Sequence, residues 1–183
     1  MEFIKLPNSD YSYLLAKLPR ILKQELKAQA LELLTQYEID NDVNTESLIR
    51  FDNNNFSNFV IDMVYEFYQT TNFNISLNLI WINYMHRDRH VQLHRHAGNV
   101  SFTCWLNIPF SIGQGDFEFE YMDKNKNIRK YPLKLSNKSE GSIIMFNSKL
   151  QHRVHPFTES SQYRISLAGD ITVTEISDLG SYN

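Results

Sequence analysis

The sequence holds six histidines, and they fall in two places. His86, His90, His94 and His96 share one short stretch, His152 and His155 share another, and none precedes His86. Histidine is the commonest side-chain metal ligand, so this sorting points first to a metal. In His94-Arg95-His96 the histidines are two apart. Alternate residues of a strand share a face, so both rings can reach one ion. The same spacing also fits two exposed histidines around an arginine, since short motifs match by chance. His152 follows the apolar run Ile143-Ile144-Met145-Phe146 and a short polar turn, far enough downstream for several strands to return it to the first pair. Next comes Tyr163-Arg164-Ile165-Ser166-Leu167, in which Arg164 and Ser166 share one strand face and Ile165 and Leu167 the other. A charged Arg on a core strand requires an anion, because an unpaired buried charge is expensive. That anion is either a neighbouring Asp or Glu, or a ligand carboxylate held by the guanidinium fork.

The elements that must position these residues change character near residue 72. Before it, helix signals dominate. Asn8, Ser9 and Asp10 are helix-start residues, and a short helical segment is expected over 11–17, ending at Leu18-Pro19. Pro19 suits the start of the next helix, expected to about Tyr37, where Leu22, Leu26, Ala30, Leu33 and Leu34 recur at helical spacing. Residues 39–44 read as a loop, and 58–69 as a helix with Phe59, Met63, Phe67 and Tyr68 on its apolar side. After residue 72, β-branched and aromatic residues alternate with polar ones. Strands are expected over 75–83, 100–109, 117–121, 142–146 and 163–168, with 171–174 as a continuation. Phe117 and Phe119 should face inward, Glu118 and Glu120 outward. Gly113, Gly115 and Gly141 mark turns. The pattern predicts a mainly β (α+β) sandwich or barrel with helices packed outside. One domain over 1–183 is expected, 1–72 as helical support and 73–175 as the β core.

Composition bounds the partners. The 183 residues carry a net charge of −3, so no global basic field suggests nucleic acid. Apolar residues make up 42% and aromatics 13%, as in a globular chain. One cysteine, Cys104, allows no internal disulfide, which suits a reducing compartment. No apolar run nears the roughly 18 residues of a membrane span, and the N-terminus lacks the pattern of a signal peptide. The expected location is the cytoplasm, that of a host if the source is viral.

The blocks Trp81-Ile82-Asn83, His94-Arg95-His96-Ala97-Gly98, Ser101-Phe102, Trp105-Leu106-Asn107-Ile108-Pro109, Gly141–Phe146, His152–Pro156 and Arg164-Ile165-Ser166 resemble the 2-oxoglutarate/Fe(II)-dependent oxygenase superfamily, in particular its small phage and microbial members. The resemblance implies a double-stranded β-helix, or jelly roll, with Fe(II) in its mouth. It maps metal ligands to His94 and His152 and the 2-oxoglutarate C5-carboxylate anchor to Arg164, assisted by Ser166. Where the usual pattern has His-x-Asp, this chain has His96, which the resemblance makes the third ligand. Asn83 and Tyr84 are further candidates near the co-substrate. The implied reaction consumes O2 and 2-oxoglutarate, releases succinate and CO2, and hydroxylates an unidentified substrate: a small molecule, a protein side chain or a nucleobase. Residues 111–116 and 123–130 are loops that could select it. Two other readings are a cupin-like three-His metal protein without 2-oxoglutarate, and an inert jelly-roll accessory protein. A second His-x-Asp string, His86-Arg87-Asp88, sits in a charged stretch and reads as a solvated turn. His90 and His155 read as surface or strand residues, Arg153 as solvated or substrate-steering. Cys104 reads as a small buried hydrophobe, and Trp81 and Trp105 as core.

Overall fold

In the computed structural model, which describes residues 1–40 and 49–175, two antiparallel sheets face each other and two helices cover one of them. The strands are β1 (Glu2–Lys5), β2 (Ser12–Lys17), β3 (Ile49–Arg50), β4 (Phe73–Met85), β5 (Val91–His94), β6 (Val100–Asn107), β7 (Phe117–Met122), β8 (Ile128–Leu133), β9 (Ser142–Asn147), β10 (Gln151–Val154) and β11 (Arg164–Glu175). The major sheet runs β1-β2-β9-β6-β11-β4-β3 and the minor sheet β5-β10-β7-β8. The alternating segments called for a sandwich or barrel, and the arrangement found is the jelly roll that the resemblance implied.

Strand alternation sorts side chains onto two cores. On β6, Val100, Phe102, Cys104 and Leu106 point to the helices, while Trp105 points between the sheets. On β9, Ile143 and Met145 take the helix side and Ile144 and Phe146 the inter-sheet side. On β11, Ile165, Leu167 and Ile171 pack under the helices. The opposite face of β11 is therefore left to Arg164, Ser166, Ala168 and Asp170.

Helix α1 (Arg20–Asp40) buries Leu22, Leu26 and Ala30, with Leu33 and Leu34 partly buried beside them, as their spacing predicts. Helix α2 (Asn54–Tyr68) starts four residues earlier than expected because Asn53 caps it. The Asn53 side chain accepts from the Phe56 N–H at 2.9 Å and donates to Glu25 and Gln29 of α1, each at 2.9 Å. A side-chain cap is worth about 1 kcal/mol, and this one also ties the helices together. The earlier start makes Phe56, Val60, Met63 and Val64 the buried stripe, with Phe59, Phe67 and Tyr68 at its margin. The Phe56 ring meets Phe102 edge-on at 5.7 Å and so fixes α2 on β6.

The N-terminal region departs from the helical support expected over 1–72. Residues 11–17 are not helical: Ser12–Lys17 is strand β2, and β1 and β2 form a hairpin that extends the major sheet beside β9. Tyr13 and Leu15 point between the sheets and Leu14 and Ala16 under the helices, so a period of two governs this segment. Helix α1 runs through Asp40, and the rest of the expected 39–44 loop lies outside the described residues.

The expected 123–130 loop is also shorter, because Ile128–Leu133 pairs with β7. Its turn is organised by Asp123. One carboxylate oxygen accepts the N–H groups of Asn125 and Asn127, both at 2.9 Å, and the other accepts Arg129 Nε at 2.7 Å. The Asn127 amide and then Arg129 hold this carboxyl down to about 2, against burial. The native state thus stays unprotonated at Asp123 between about pH 4 and 2, where the unfolded chain takes up a proton. The stabilisation is complete above the unfolded value and is lost as pH falls through the folded one. Asp123→Asn is therefore expected to lower the urea midpoint at neutral pH and to flatten its decline between about pH 4 and 2. Parallel wild-type and variant curves in that window would show that the carboxylate charge does not matter there.

Candidate active site

Between the sheets lies a cavity of about 330 Å³. The minor sheet brings His94 and His152 into it as direct cross-strand partners on β5 and β10. His96 lies just past the end of β5. Its N–H donates to the Ser148 carbonyl at 2.9 Å, and Lys149 Nζ caps the carbonyls of His96 and Ala97 at 3.3 and 3.1 Å. His152 is buried because Phe117 stacks on its ring at 5.1 Å and Phe146 meets it edge-on at 4.9 Å.

The three rings share one hydrogen-bond arrangement. His94 Nδ1 lies 2.8 Å from the Gln92 carbonyl, His152 Nδ1 3.1 Å from the Leu150 carbonyl, and His96 Nδ1 3.2 Å from Asp170 Oδ2. A carbonyl oxygen only accepts, so in His94 and His152 the proton sits on Nδ1 and Nε2 is bare. Burial then pushes the His152 pKa down to about 3, and the positive charges that His94 and His96 can carry push the same way, so His152 stays neutral at pH 7. The ring nitrogens of His94, His96 and His152 lie within 4.8 Å of one another, and Nε2 of His96 stands 3.3 Å from Nε2 of His152. The bare Nε2 of His152 is an acceptor at that distance, and a metal ion can be shared by all three rings. Imidazole nitrogens bound about 2.1 Å from one ion in adjacent positions lie about 3 Å apart, close to the spacing found.

Arg164 enters the same cavity from β11, with Ser166 and, on the paired strand β4, Asn83. Arg164 is 2% exposed. One Nη1 donates to the Gly115 carbonyl at 3.1 Å, Nε has no partner, and no carboxylate pairs with the side chain among the described residues. Asp116, the nearest candidate, binds Lys134 at 2.5 Å instead. Burial pushes the Arg164 pKa down to about 9, against the charge of Asp116, which leaves it cationic at neutral pH. An uncompensated buried charge costs on the order of 3–5 kcal/mol, a large share of a domain's 5–15 kcal/mol. A cation this costly, open to a cavity, fits an anionic ligand.

Residues 79–170, half of the chain, match the family model described as "Putative 2OG-Fe(II) oxygenase". The chain belongs to this 2OG-Fe(II) oxygenase family. Its cofactor is Fe(II) and its co-substrate 2-oxoglutarate, and the donors in the cavity fit both: three converging imidazoles for the ion, one guanidinium without a carboxylate partner for the co-substrate. No curated protein matches the sequence. Among solved structures, a prolyl-4-hydroxylase from Pseudomonas putida superposes with a TM-score of 0.65 at 13% identity, covering 89% of this chain and 93% of that one. AviO1 from Streptomyces viridochromogenes Tue57 gives 0.64 at 13%, covering 90% of each. HygX from Streptomyces hygroscopicus, solved with nickel and 2-oxoglutarate, gives 0.63 at 11%, covering 87% and 82%. Identities this low carry the fold alone.

The structure brings His94, His96, His152, Arg164, Ser166 and Asn83 of the oxygenase to one cavity. It leaves the His86/Asp88 string outside the three-histidine group: His86 packs edge-on against Tyr163, and Asp88 is exposed. Tyr84 turns most of its ring toward the helices, where its hydroxyl donates to the Ala30 carbonyl at 2.6 Å. Arg153 is not aimed at the cavity: half-buried on the outer face of the minor sheet, it pairs with Glu118 and Glu120, and His155 also reaches Glu118. Trp81 is buried but lines the cavity, its ring 5.8 Å from His96, whereas Trp105 is core. Residues 123–130 do not line the cavity, while Gly115 of the 111–116 loop touches Arg164. Three polar groups around His96 have no role assigned by the sequence: Asp170, Ser148, and Ser101, which figured only within the Ser101-Phe102 block.

No helix among the described residues is long and apolar enough to cross a membrane.

Metal-free oxygenase titrated with Zn(II) in a calorimeter is expected to bind one equivalent. His152→Ala should weaken binding by more than the roughly 10–100-fold that follows loss of an outer partner of a ligand. Tight stoichiometric binding by the variant would remove His152 from the ligand set.

Proposed function

We propose that this oxygenase hydroxylates its substrate, with His94, His96 and His152 holding Fe(II) and Arg164 gripping the C5 carboxylate of 2-oxoglutarate. When bound, the iron and co-substrate supply the oxidative chemistry: O2 is consumed, 2-oxoglutarate becomes succinate and CO2, and one oxygen atom enters a substrate C–H bond. The observation that carries this reading is the buried, unpaired Arg164 in the same cavity as the three converging imidazoles. A cupin-like metal protein without 2-oxoglutarate would leave that charge without a counterpart.

The chain's own groups have distinct tasks in this reading. The Gln92 and Leu150 carbonyls keep the protons of His94 and His152 on Nδ1 and so keep Nε2 free to bind. The partnerless Arg164 Nε and its remaining N–H groups offer a fork to a carboxylate, with Ser166 beside it on the same face and Asn83 across the strand pair. Phe117, Val154 and Trp81 line the rest of the cavity and keep water from the reacting groups.

Anaerobic addition of Fe(II) and then 2-oxoglutarate to metal-free protein is expected to produce the weak visible charge-transfer band of chelated 2-oxoglutarate, saturably. Arg164→Ala should raise the 2-oxoglutarate Kd about 30-fold or more, the equivalent of about 2 kcal/mol for a truncated buried charge pair, and leave iron affinity nearly unchanged. Iron binding with no band in the wild type, or an unaltered 2-oxoglutarate Kd in the variant, would sink this assignment.

A further inference from the structure

The usual ligand set for a non-haem Fe(II) site of this kind is two histidines and one carboxylate. Three neutral imidazoles leave such a site one unit more positive. A carboxylate is nonetheless present one ring further out. Asp170 lies on the cavity-facing side of β11, and its Oδ2 is 3.2 Å from His96 Nδ1. Its other oxygen accepts from Ser101 Oγ at 2.7 Å, and Ser101 Oγ in turn shares a 2.7 Å hydrogen bond with Ser148 Oγ. Ser101 and Ser148 are buried, at 1% and 0% exposed, so this chain of hydroxyls is held by the core rather than by solvent. Among the described residues no lysine or arginine pairs with Asp170; its ion-pair partner is His96. The backbone of His96 is clamped by the same Ser148.

We propose that Asp170 is the displaced carboxylate of this site, a positioning residue that binds the Nδ1 proton of His96, aims its bare Nε2 at the metal and returns to the site the negative charge that His-x-His lacks. The inference rests on the reading of His96 as a ligand. Asp170 does not touch the ion. It acts through the ring, as carboxylates behind metal-bound histidines do: it fixes the tautomer and raises the ligand's basicity. Ser101 and Ser148 hold it in register.

The test is Co(II) titration of metal-free wild type, Asp170→Asn, Asp170→Glu and His96→Ala, followed by the visible Co(II) spectrum, with melting temperatures measured in parallel. Asp170→Asn keeps an acceptor and a similar shape but removes the charge. It is expected to weaken Co(II) binding roughly 10–100-fold and to alter the spectrum, with partial recovery in Asp170→Glu at an equal melting temperature. Wild-type affinity and spectrum in Asp170→Asn, alongside a weakened His96→Ala, would overturn the role of Asp170 and leave His96 as a ligand. Wild-type affinity in His96→Ala would instead overturn the underlying ligand reading. Should Asp170→Asn fail to fold, NMR of the Zn(II)-loaded wild type decides. A slowly exchanging, hydrogen-bonded Nδ1 proton on His96 is expected, and a proton on Nε2 or a freely exchanging Nδ1 proton refutes the proposal.

Discussion

Carbonyls that accept the Nδ1 protons of His94 and His152 force bare Nε2 atoms toward the cavity, and His96 adds its own Nε2 only 3.3 Å from that of His152. Much of the architecture holds this approach in place. The cross-strand pairing of β5 and β10 sets His94 opposite His152, and the β9–β10 turn supplies both the Leu150 carbonyl and the Ser148 clamp on His96. Arg164 repeats the theme with the opposite sign: a guanidinium kept from solvent with a donor left unused. A cluster of imidazole nitrogens suits a cation and a buried guanidinium suits an anion, so the one cavity offers donors for both. Stability is given up where function needs it.

That the candidate residues share one cavity was largely legible in the sequence, because they stand out from their surroundings. An arginine on a strand whose other face reads Ile165 and Leu167 fits a solvated face as well as a buried one, and its place twelve residues after His152 is what drew it into the candidate site. Histidines sorted into two short stretches cannot be explained by core packing alone. Asp170 escaped because it breaks no rule by itself. An aspartate near a predicted strand end looks solvated, and only continuing β11 through Glu175 extends the alternation Arg164, Ser166, Ala168 to it. Ser101 and Ser148 are equally silent in one dimension: their hydroxyls meet only because β6 and the β9–β10 turn are neighbours.

The fold was less evenly readable. The β core and α1 follow from clear periodicities, but residues 1–17 misled. The Asn-Ser-Asp cluster at 8–10 is a helix-start signal and equally a turn signal, and here it makes the turn of the β1–β2 hairpin, with Ser9 Oγ donating to the Leu6 carbonyl at 3.0 Å. Tyr13-Leu14-Leu15-Ala16 carries apolar residues on both faces, so neither period stands out. Its strand identity comes from burial on both sides, between the helices and the minor sheet, which is a tertiary fact. Arg153 was misjudged for a related reason: its partners Glu118 and Glu120 lie on β7 and become neighbours only through the β7–β10 register.

The three ring nitrogens are not held with equal firmness. His152 sits on β10, flanked by β5 and β7, and His96 is clamped from β9–β10 and reaches β11 through Asp170. His94 instead ends β5, a four-residue strand at the margin of the minor sheet with β10 as its one strand neighbour. The cluster therefore joins one histidine carried by a strand with a single neighbour to two whose surroundings reach across several strands, so the support around the three nitrogens is uneven.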